Sequence, residues 1–307
     1  MEAPILPEES PIKERPLYIK ALLIIAKAIG YGFALFLFAG LLSYVMVVAV
    51  PGIELSALEA EDVSDWQSLS VVYIGVLLAA LGVTYIFVVG IDNQPFSIVG
   101  LTPKKWMQKL LNGAFQSILL LSITFLILWL VQAVEIVDLQ FEYIDLLGFF
   151  GLFFIAAFVE EIIFRGYLIP LIARDFHFMA ALIVSSLIFA WVHVTNDHFT
   201  WVGFWNIFLG GYWMGLVFMK TRELYTPLGL HWIWNYFQGN ILGFGVSGHE
   251  VESLLTIEQH GADWLSGGEF GMEGSIVSTI LLVIVCWWLT KRWYNELSQN
   301  NFVPMKK

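Results

Sequence analysis

The sequence has little charge and almost no cysteine. Only 13% of its 307 residues are Asp, Glu, Lys or Arg, about half of the share that is usual in soluble domains. An ordinary soluble core of this length is therefore not expected. The only cysteine, Cys286, excludes an intramolecular disulfide, and we interpret it as a small buried hydrophobe. Two widespread catalytic signatures, the H-E-x-x-H of zinc peptidases and the G-x-S-x-G nucleophile elbow, are also missing.

The chain contains instead a series of long apolar runs without charge. A helix needs about 20 such residues to cross the hydrocarbon core of a bilayer. The pattern predicts an all-α polytopic membrane bundle with about eight transmembrane helices. The charge-free windows are 29–50, 71–91, 113–134, 146–159 (continuing to about 173), 178–192, 201–219, 224–248 and 275–290.

Loop charges predict the orientation of these spans. With eight spans, all 15 Lys and Arg residues fall on one side, whereas the opposite loops carry only acidic residues. The positive-inside rule then places both termini in the cytoplasm. Examples on the basic side are Lys13, Arg15, Lys104, Lys105, Lys306 and Lys307, and examples on the acidic side are Glu59, Glu61, Asp62, Glu250 and Glu258.

We predict one membrane domain and no separate soluble module. Residues 1–28 are expected to form a cytoplasmic N-terminal segment with an interfacial helix, 29–292 the eight-span domain, and 293–307 a cytoplasmic tail. The net charge of −11 comes from the acidic outer loops, so it does not indicate a nucleic-acid partner. The expected surroundings are the lipid bilayer of a bacterial or archaeal cell membrane.

Three carboxylate and guanidinium groups interrupt the fourth apolar run, in the stretch FVEEIIFRGYL (158–168). Such groups are costly inside a membrane and are usually functional. Glu161 and Arg165 are four residues apart, so they share a helix face and are expected to pair. Glu160 points about 100° away and has no obvious local partner. A lone carboxylate in apolar surroundings suits general acid–base work, although all three could simply hold helices together.

Two further polar motifs lie in the fifth and seventh runs. FAWVH ends at His193, near the outer end of its span, and HWIWN places His231 and Asn235 four residues apart on one face. Each could be a satisfied polar residue at a helix end or between helices. If the motifs converge with Glu160, two chemistries fit. In one, Glu160 and His193 activate water, and His231 with Asn235 stabilises an oxyanion. In the other, Glu160, His193 and His231 hold a zinc ion.

The three motifs together resemble a known family. EEIIFR, FAWVH and HWIWN match E-E-x-x-x-R, F-x-x-x-H and H-x-x-x-N, which mark the CPBP family of intramembrane proteases, including the type II CAAX prenyl endopeptidases. The neighbouring stretches FRGYLIPLI and TRELYTPLGLHWIWN are also similar to the family. The resemblance covers about residues 92–242.

The resemblance implies an eight-helix bundle whose motif helices enclose a cavity. Glu160 and His193 would activate the attacking water, His231 and Asn235 would form the oxyanion site, and Glu161, Arg165 and Phe189 would support them. No cofactor is favoured, because Asn235 shares a face with His231 and suits a donor pair better than a metal ligand. Zinc on Glu160, His193 and His231 is the alternative. The implied substrate is a membrane-embedded protein or a lipidated peptide.

Two other functions are compatible with the family or with the buried charges. One is a non-catalytic member of the family that acts as a bacteriocin-immunity or scaffold protein, although a scaffold would need only the pair of Glu161 and Arg165. The other is a transporter with a proton-linked Glu160, for which no inverted repeat is visible.

The depths of two motif residues in the bilayer do not agree at first sight. Glu160 lies about 21 Å from the start of the fourth span, whereas His193 is near the outer end of the fifth. For the two to meet, the fourth span must tilt or bend, or begin with a separate interfacial piece at about 144–155.

Overall fold

A computed structural model gives the fold of the protein and describes residues 16–58, 65–102 and 104–299. The predicted N-terminal segment and C-terminal tail therefore lie partly outside the described residues. So do Glu59, Glu61 and Asp62, which contributed to the predicted orientation.

Helices dominate the described part of the chain. Three of the long helices end in, or contain, a π-helical turn, a feature often found at functional sites. The helices are α1 (Leu17–Ala49), α2 (Trp66–Tyr85, with the π turn Ile86–Ile91), α3 (Trp106–Leu130), α4 (Tyr143–Glu161, with the π turn Ile162–Leu168), α5 (Ile169–Ala173), α6 (Phe178–Val192), α7 (Trp201–Thr221), α8 (Tyr225–Tyr236, with the π turn Phe237–Ile241), α9 (Asp263–Ser266) and α10 (Ile276–Gln299).

The predicted polytopic helical bundle is confirmed. Within the described ranges, six helices are long and apolar enough to cross a membrane. Each of the eight predicted spans coincides with a helix, but the fifth and seventh are short. Helix α6 has 15 residues, or about 22 Å, which is less than the roughly 30 Å of a hydrocarbon core. Helix α8 has 12 residues before its π turn. The six long spans are Leu17–Ala49, Trp66–Ile91, Trp106–Leu130, Tyr143–Ala173, Trp201–Thr221 and Ile276–Glu296.

A small antiparallel sheet, which the all-α prediction did not include, joins two of the loops that are predicted to lie on the outer side. Strand β1 (Val134–Leu139) pairs with β2 (Leu255–Gln259), with an irregularity between Ile136 and Asp138. Both strands lie in connections between helices. The segment 242–275, between α8 and α10, is thereby tied to the end of α3 and forms a folded outer cap, which we call the outer segment.

Helix α8 is held against α3 by direct backbone contact. A Cβ atom at Gly113 would lie 2.0 Å from the carbonyl oxygen of Thr226, and one at Gly229 would lie 2.0 Å from that of Leu110. Only glycine allows the two backbones to approach so closely. Ser117 Oγ also donates a hydrogen bond to the carbonyl of Leu230 at 2.5 Å. These contacts fix the helix that carries HWIWN.

Basic residues meet one acidic residue at the end of the bundle where α5 finishes. Asp92 accepts hydrogen bonds from Lys27 and from Arg174, the latter at 3.0 Å. The pairings connect α1, the end of α2 and the end of α5. The continuous helix α1 starts at Leu17, so the predicted interfacial helix is continuous with the first span.

Candidate active site

The motif residues surround one cavity of about 280 Å³ inside the bundle. Glu160 comes from α4, Phe189 and His193 from α6 and its end, and His231 with Asn235 from α8. The structure therefore brings together five of the seven predicted site residues on one surface. Glu161 and Arg165 lie directly behind that surface.

Glu161 and Arg165 form a fully buried ion pair. Arg165 Nη1 donates to Glu161 Oε1 at 2.7 Å, and the two side chains are only 1% and 0% exposed. Arg165 Nη2 donates to the carbonyl oxygen of Gly211 at 3.2 Å, and its guanidinium lies 4.4 Å from the ring centre of Phe189. Because Arg165 fills these contacts at once, it links α4 to α6 and α7.

His231 lies between the two adjacent carboxylates of the first motif. Its Nδ1 donates to Glu161 Oε1 at 2.9 Å, and its Nε2 is 3.7 Å from Glu160 Oε2. Glu161 accepts from Arg165 as well, so a proton on His231 Nδ1 is required by the hydrogen-bond pattern. The result is a chain from Arg165 through Glu161 to His231 that leaves Nε2 directed at Glu160. The sequence predicted the pair but not its link to His231.

Glu160 differs from its neighbour in its surroundings. Its side chain is 32% exposed, and its buried Oε2 accepts no hydrogen bond from the described residues. Glu161 is fully buried and accepts two hydrogen bonds on Oε1, although its Oε2 is also unpaired among the described residues, whereas Glu160 faces the cavity and accepts none from them. This contrast is what a general base requires.

The ring of His193 is oriented by its own helix. Its Nδ1 is 2.7 Å from the carbonyl oxygen of Phe189, to which it must donate. The other nitrogen, Nε2, is then left without a proton in the neutral imidazole and can accept one. Phe189 packs against the rings of both histidines, with centroid distances of 5.0 Å to His193 and 5.8 Å to His231, so it separates and supports them.

Glu160 and His193 lie at a similar depth in the bundle when both are measured from the turn that joins their helices. Helix α4, its π turn and α5 form one run, Tyr143–Ala173, which is joined to α6 by a short turn. Measured from that turn, both residues are about 20 Å up the bundle. The separate interfacial piece considered at 144–155 is not formed, since α4 is continuous from Tyr143. The apparent mismatch arose from counting from the outer end of α4, which extends past the end of α6.

Asn235 lies one turn beyond His231 and lines the cavity. It precedes the π turn Phe237–Ile241, and its amide makes no side-chain hydrogen bond with other described residues. The amide is therefore available to a ligand in the cavity, and the orientation of α8 determines where it points.

A metal ion does not fit the predicted ligand set well. Among the described residues, no three His, Cys, Asp or Glu side chains are grouped so that they could hold a metal. His231 has one nitrogen occupied by Glu161, and Glu160 reaches its other nitrogen only at 3.7 Å.

The outer segment supplies cavity residues that the sequence reasoning missed. Ser247, His249 and Glu273 line the same cavity, together with Asn206 of α7. Burial lowers the pKa of His249, while Asp197 opposes this shift. In the sequence His249 and Glu273 looked like members of an acidic outer loop, whereas Ser247 fell within the seventh apolar window, 224–248. The one available signal was Glu273, placed between glycines directly before the last span.

These features define a polytopic membrane protein with a carboxylate–histidine cavity inside its bundle. A family model with the description "Type II CAAX prenyl endopeptidase Rce1-like" matches residues 142–237. The matched segment runs from the start of α4 past the end of α8 and contains all seven predicted site residues. It confirms the resemblance to the CPBP family, a family of membrane proteases. Searches among curated proteins and among solved structures give no match.

Proposed function

We propose that this protein is an intramembrane endopeptidase that hydrolyses a peptide bond in a membrane-embedded or lipid-anchored protein. The observation that carries the proposal is the cavity itself. It combines one carboxylate with a free acceptor, Glu160, and two oriented histidines, His193 and His231. The matched family segment supports peptide hydrolysis as the reaction.

In the proposed mechanism a water molecule binds between Glu160 and His193. Its oxygen attacks the carbonyl carbon of the substrate while one proton passes to Glu160, with His193 Nε2 accepting the second hydrogen bond. The free acceptor on Glu160 and the lone pair on His193 suit these roles.

The negative charge that develops on the carbonyl oxygen needs donors. The Asn235 amide and a proton on His231 Nε2 are proposed to supply them, as in an oxyanion hole. Glu161 fixes the His231 ring through Nδ1, and Arg165 holds Glu161. When the C–N bond breaks, the proton on Glu160 transfers to the leaving nitrogen, which restores the starting carboxylate.

The decisive experiment compares protein termini in membranes of cells that carry wild type or Glu160→Ala. A terminus that is present with wild type and absent with the variant identifies the substrate and the cleavage site. Glu142→Ala is a matched control, since Glu142 is exposed at the outer start of the same helix. Identical termini in wild type and Glu160→Ala, at equal expression, would count against proteolysis and favour a non-catalytic scaffold.

A metal-free reaction is part of the proposal. We expect purified active protein to contain no stoichiometric zinc by elemental analysis and to keep its activity after strong chelation. Loss of activity on chelation, with recovery when zinc is returned, would replace this mechanism by one with Glu160, His193 and His231 as ligands.

We also propose that both termini are cytoplasmic. Lys27 and Arg174 lie at the same end of the bundle around Asp92, and the acidic outer segment lies at the other end, as the positive-inside rule requires. A reporter enzyme that is active only outside the membrane should be silent when fused to the C-terminus and active when inserted at Gly261.

A further inference from the structure

The outer segment reaches back to the catalytic helix through one buried carboxylate. Glu273 lies just before α10 and is only 7% exposed. Its Oε1 accepts a hydrogen bond from Trp234 Nε1 at 3.2 Å, and its Oε2 accepts from both the backbone N–H and the hydroxyl of Ser247, at 2.8 and 2.7 Å. One side chain therefore joins α8 to the cap over the cavity.

Two opposing effects act on the charge of Glu273. Burial raises the pKa of this carboxyl, and the hydrogen bonds from Ser247 together with the nearby His193 and His231 oppose that shift. Trp234 Nε1 and the Ser247 backbone N–H are donors only, so Glu273 must offer an acceptor on each of its two oxygens. If one partner is removed, a buried donor or acceptor is left without a hydrogen bond, which is destabilising.

Trp234, which donates to Glu273, lies close to two of the proposed catalytic residues in α8. Trp234 directly precedes Asn235 and follows His231 by three residues, and all three line the cavity. Below this point α8 is fixed by Glu161 through His231. Above it the helix passes into a π turn at Phe237. The hydrogen bond to Trp234 is thus the side-chain contact nearest to Asn235 in the sequence that ties α8 to the outer segment, and those of Gln238 and Asn240 follow in the π turn.

We propose that Glu273 is a positioning residue for the hydrolytic site, which sets the orientation of Asn235 by holding Trp234 from the outer segment. The proposal rests on the proposed function for the reaction that it serves. Glu273 lies outside the matched family segment 142–237, so this contact is a property of the rest of the chain. Misplacement of a catalytic group by about 1 Å can cost on the order of 100-fold in rate.

The test measures cleavage of a quenched fluorogenic peptide with a prenylated C-terminal cysteine motif by the full-length protein in lipid nanodiscs. The variants are Glu273→Gln, Trp234→Phe and the double variant. We expect each single change to lower kcat by about 10- to 100-fold with KM nearly unchanged. The double variant should be no slower than the slower single variant, because both changes act on one set of contacts: Trp234→Phe removes the donor, and Glu273→Gln leaves a single acceptor oxygen for the donors of Trp234 and Ser247.

Asn240→Ala is the matched structural control. Asn240 Nδ2 also holds the outer segment, through the carbonyl of Glu252 at 2.6 Å, but it does not line the cavity. We expect it to lower the melting temperature and leave kcat nearly unchanged. If Asn240→Ala and Glu273→Gln reduce kcat equally, or if the effects of Glu273→Gln and Trp234→Phe on kcat multiply, the positioning role is overturned.

Two further measurements separate failure of this inference from failure of the proposed function. If Glu160→Gln cleaves the peptide as well as wild type does, hydrolysis at this site is refuted, and if wild type does not cleave this peptide, stability becomes the readout. Coupling between Glu273→Gln and Trp234→Phe in thermal unfolding then tests the contact without activity, and additive effects overturn it. If Glu273→Gln does not fold, Glu273→Asp replaces it, with a lower kcat expected and a wild-type kcat contradicting the proposal.

Discussion

The two ends of the HWIWN face of α8 are held by carboxylates of very different origin. At the lower end Glu161 binds His231 and is itself bound by Arg165, four residues away on the same helix. At the upper end Glu273 binds Trp234 and is held by Ser247, 26 residues away in the outer segment. The lower contact rests on a spacing within one helix, whereas the upper one exists only when the loop has folded over the bundle.

All three carboxylates belong to glutamates, so the supporting ones differ from the reactive one in their burial and in the number of hydrogen bonds that they accept. Glu161 and Glu273 are buried and each accepts from at least two donors. Glu160 is one-third exposed, and its buried Oε2 accepts no hydrogen bond from the described residues, although His231 Nε2 lies 3.7 Å away. Two supporting carboxylates thus flank the helix that faces the reactive one.

The largest loss of stability is expected at the lower contact. Arg165→Ala or Glu161→Ala leaves an unpaired charge in a fully buried position, which costs about 3–5 kcal/mol. Glu160→Ala removes a carboxylate whose buried Oε2 accepts no hydrogen bond from the described residues, and it should leave the protein folded. Thermal unfolding in detergent measures the difference. Equal melting temperatures for the three variants would remove the distinction between supporting and reactive carboxylates.

Arg174→Ala provides a matched control for that prediction. Its pair with Asp92 is about one-third exposed on the arginine side, and such partly exposed pairs contribute only about 0–1 kcal/mol. We therefore expect a small change in melting temperature from this variant.

A smaller effect is expected at the upper contact, from loss of Asn206. Its Nδ2 donates to the carbonyl oxygens of Glu273 at 2.7 Å and of Ser275 at 2.9 Å, so Asn206→Ala leaves two buried acceptors without this donor. We expect a loss of about 1–3 kcal/mol and faster cleavage of the outer segment by added protease. Unchanged protease resistance would show that Asn206 does not hold this segment in place.

The smallest effect concerns the pH dependence of the outer segment. Burial lowers the pKa of His249, so the folded state favours the neutral ring. The corresponding stability is present above the unfolded value of about 6.5 and is lost as the pH falls through the lower folded pKa. His249→Gln should therefore reduce the fall in melting temperature between about pH 7 and pH 5.

His260→Gln serves as the control for the histidine prediction. His260 is 45% exposed beside Glu135 on the small outer sheet. A pH dependence that is weakened equally by both variants would show that the burial of His249 is not its cause.

The family motifs could be recognised from the sequence because each is local. Glu161 and Arg165 pair within one helix turn, and His231 and Asn235 share a face for the same reason. Their convergence on one cavity could be expected only through the resemblance. The link from Glu161 to His231 joins residues 70 apart, and no spacing rule predicts such a contact.

Helix lengths were also only partly predictable. Hydropathy located all eight helices, because burial in lipid demands long apolar runs. It did not show that α6 and α8 are short, since apolar residues continue into the adjoining loops. The mismatch in depth between Glu160 and His193 followed directly from that missing information.

The sequence by itself determined the class of membrane protein, the positions of its apolar helices and the two pairs of motif residues on shared helix faces. These properties depend on composition and on periodicity within one element, which the order of residues specifies directly. The tertiary structure alone decided which carboxylate is held and which is free, and that Ser247, His249 and Glu273 reach the cavity. Those outcomes depend on the packing of distant segments, where burial and available donors determine the behaviour of each charged group.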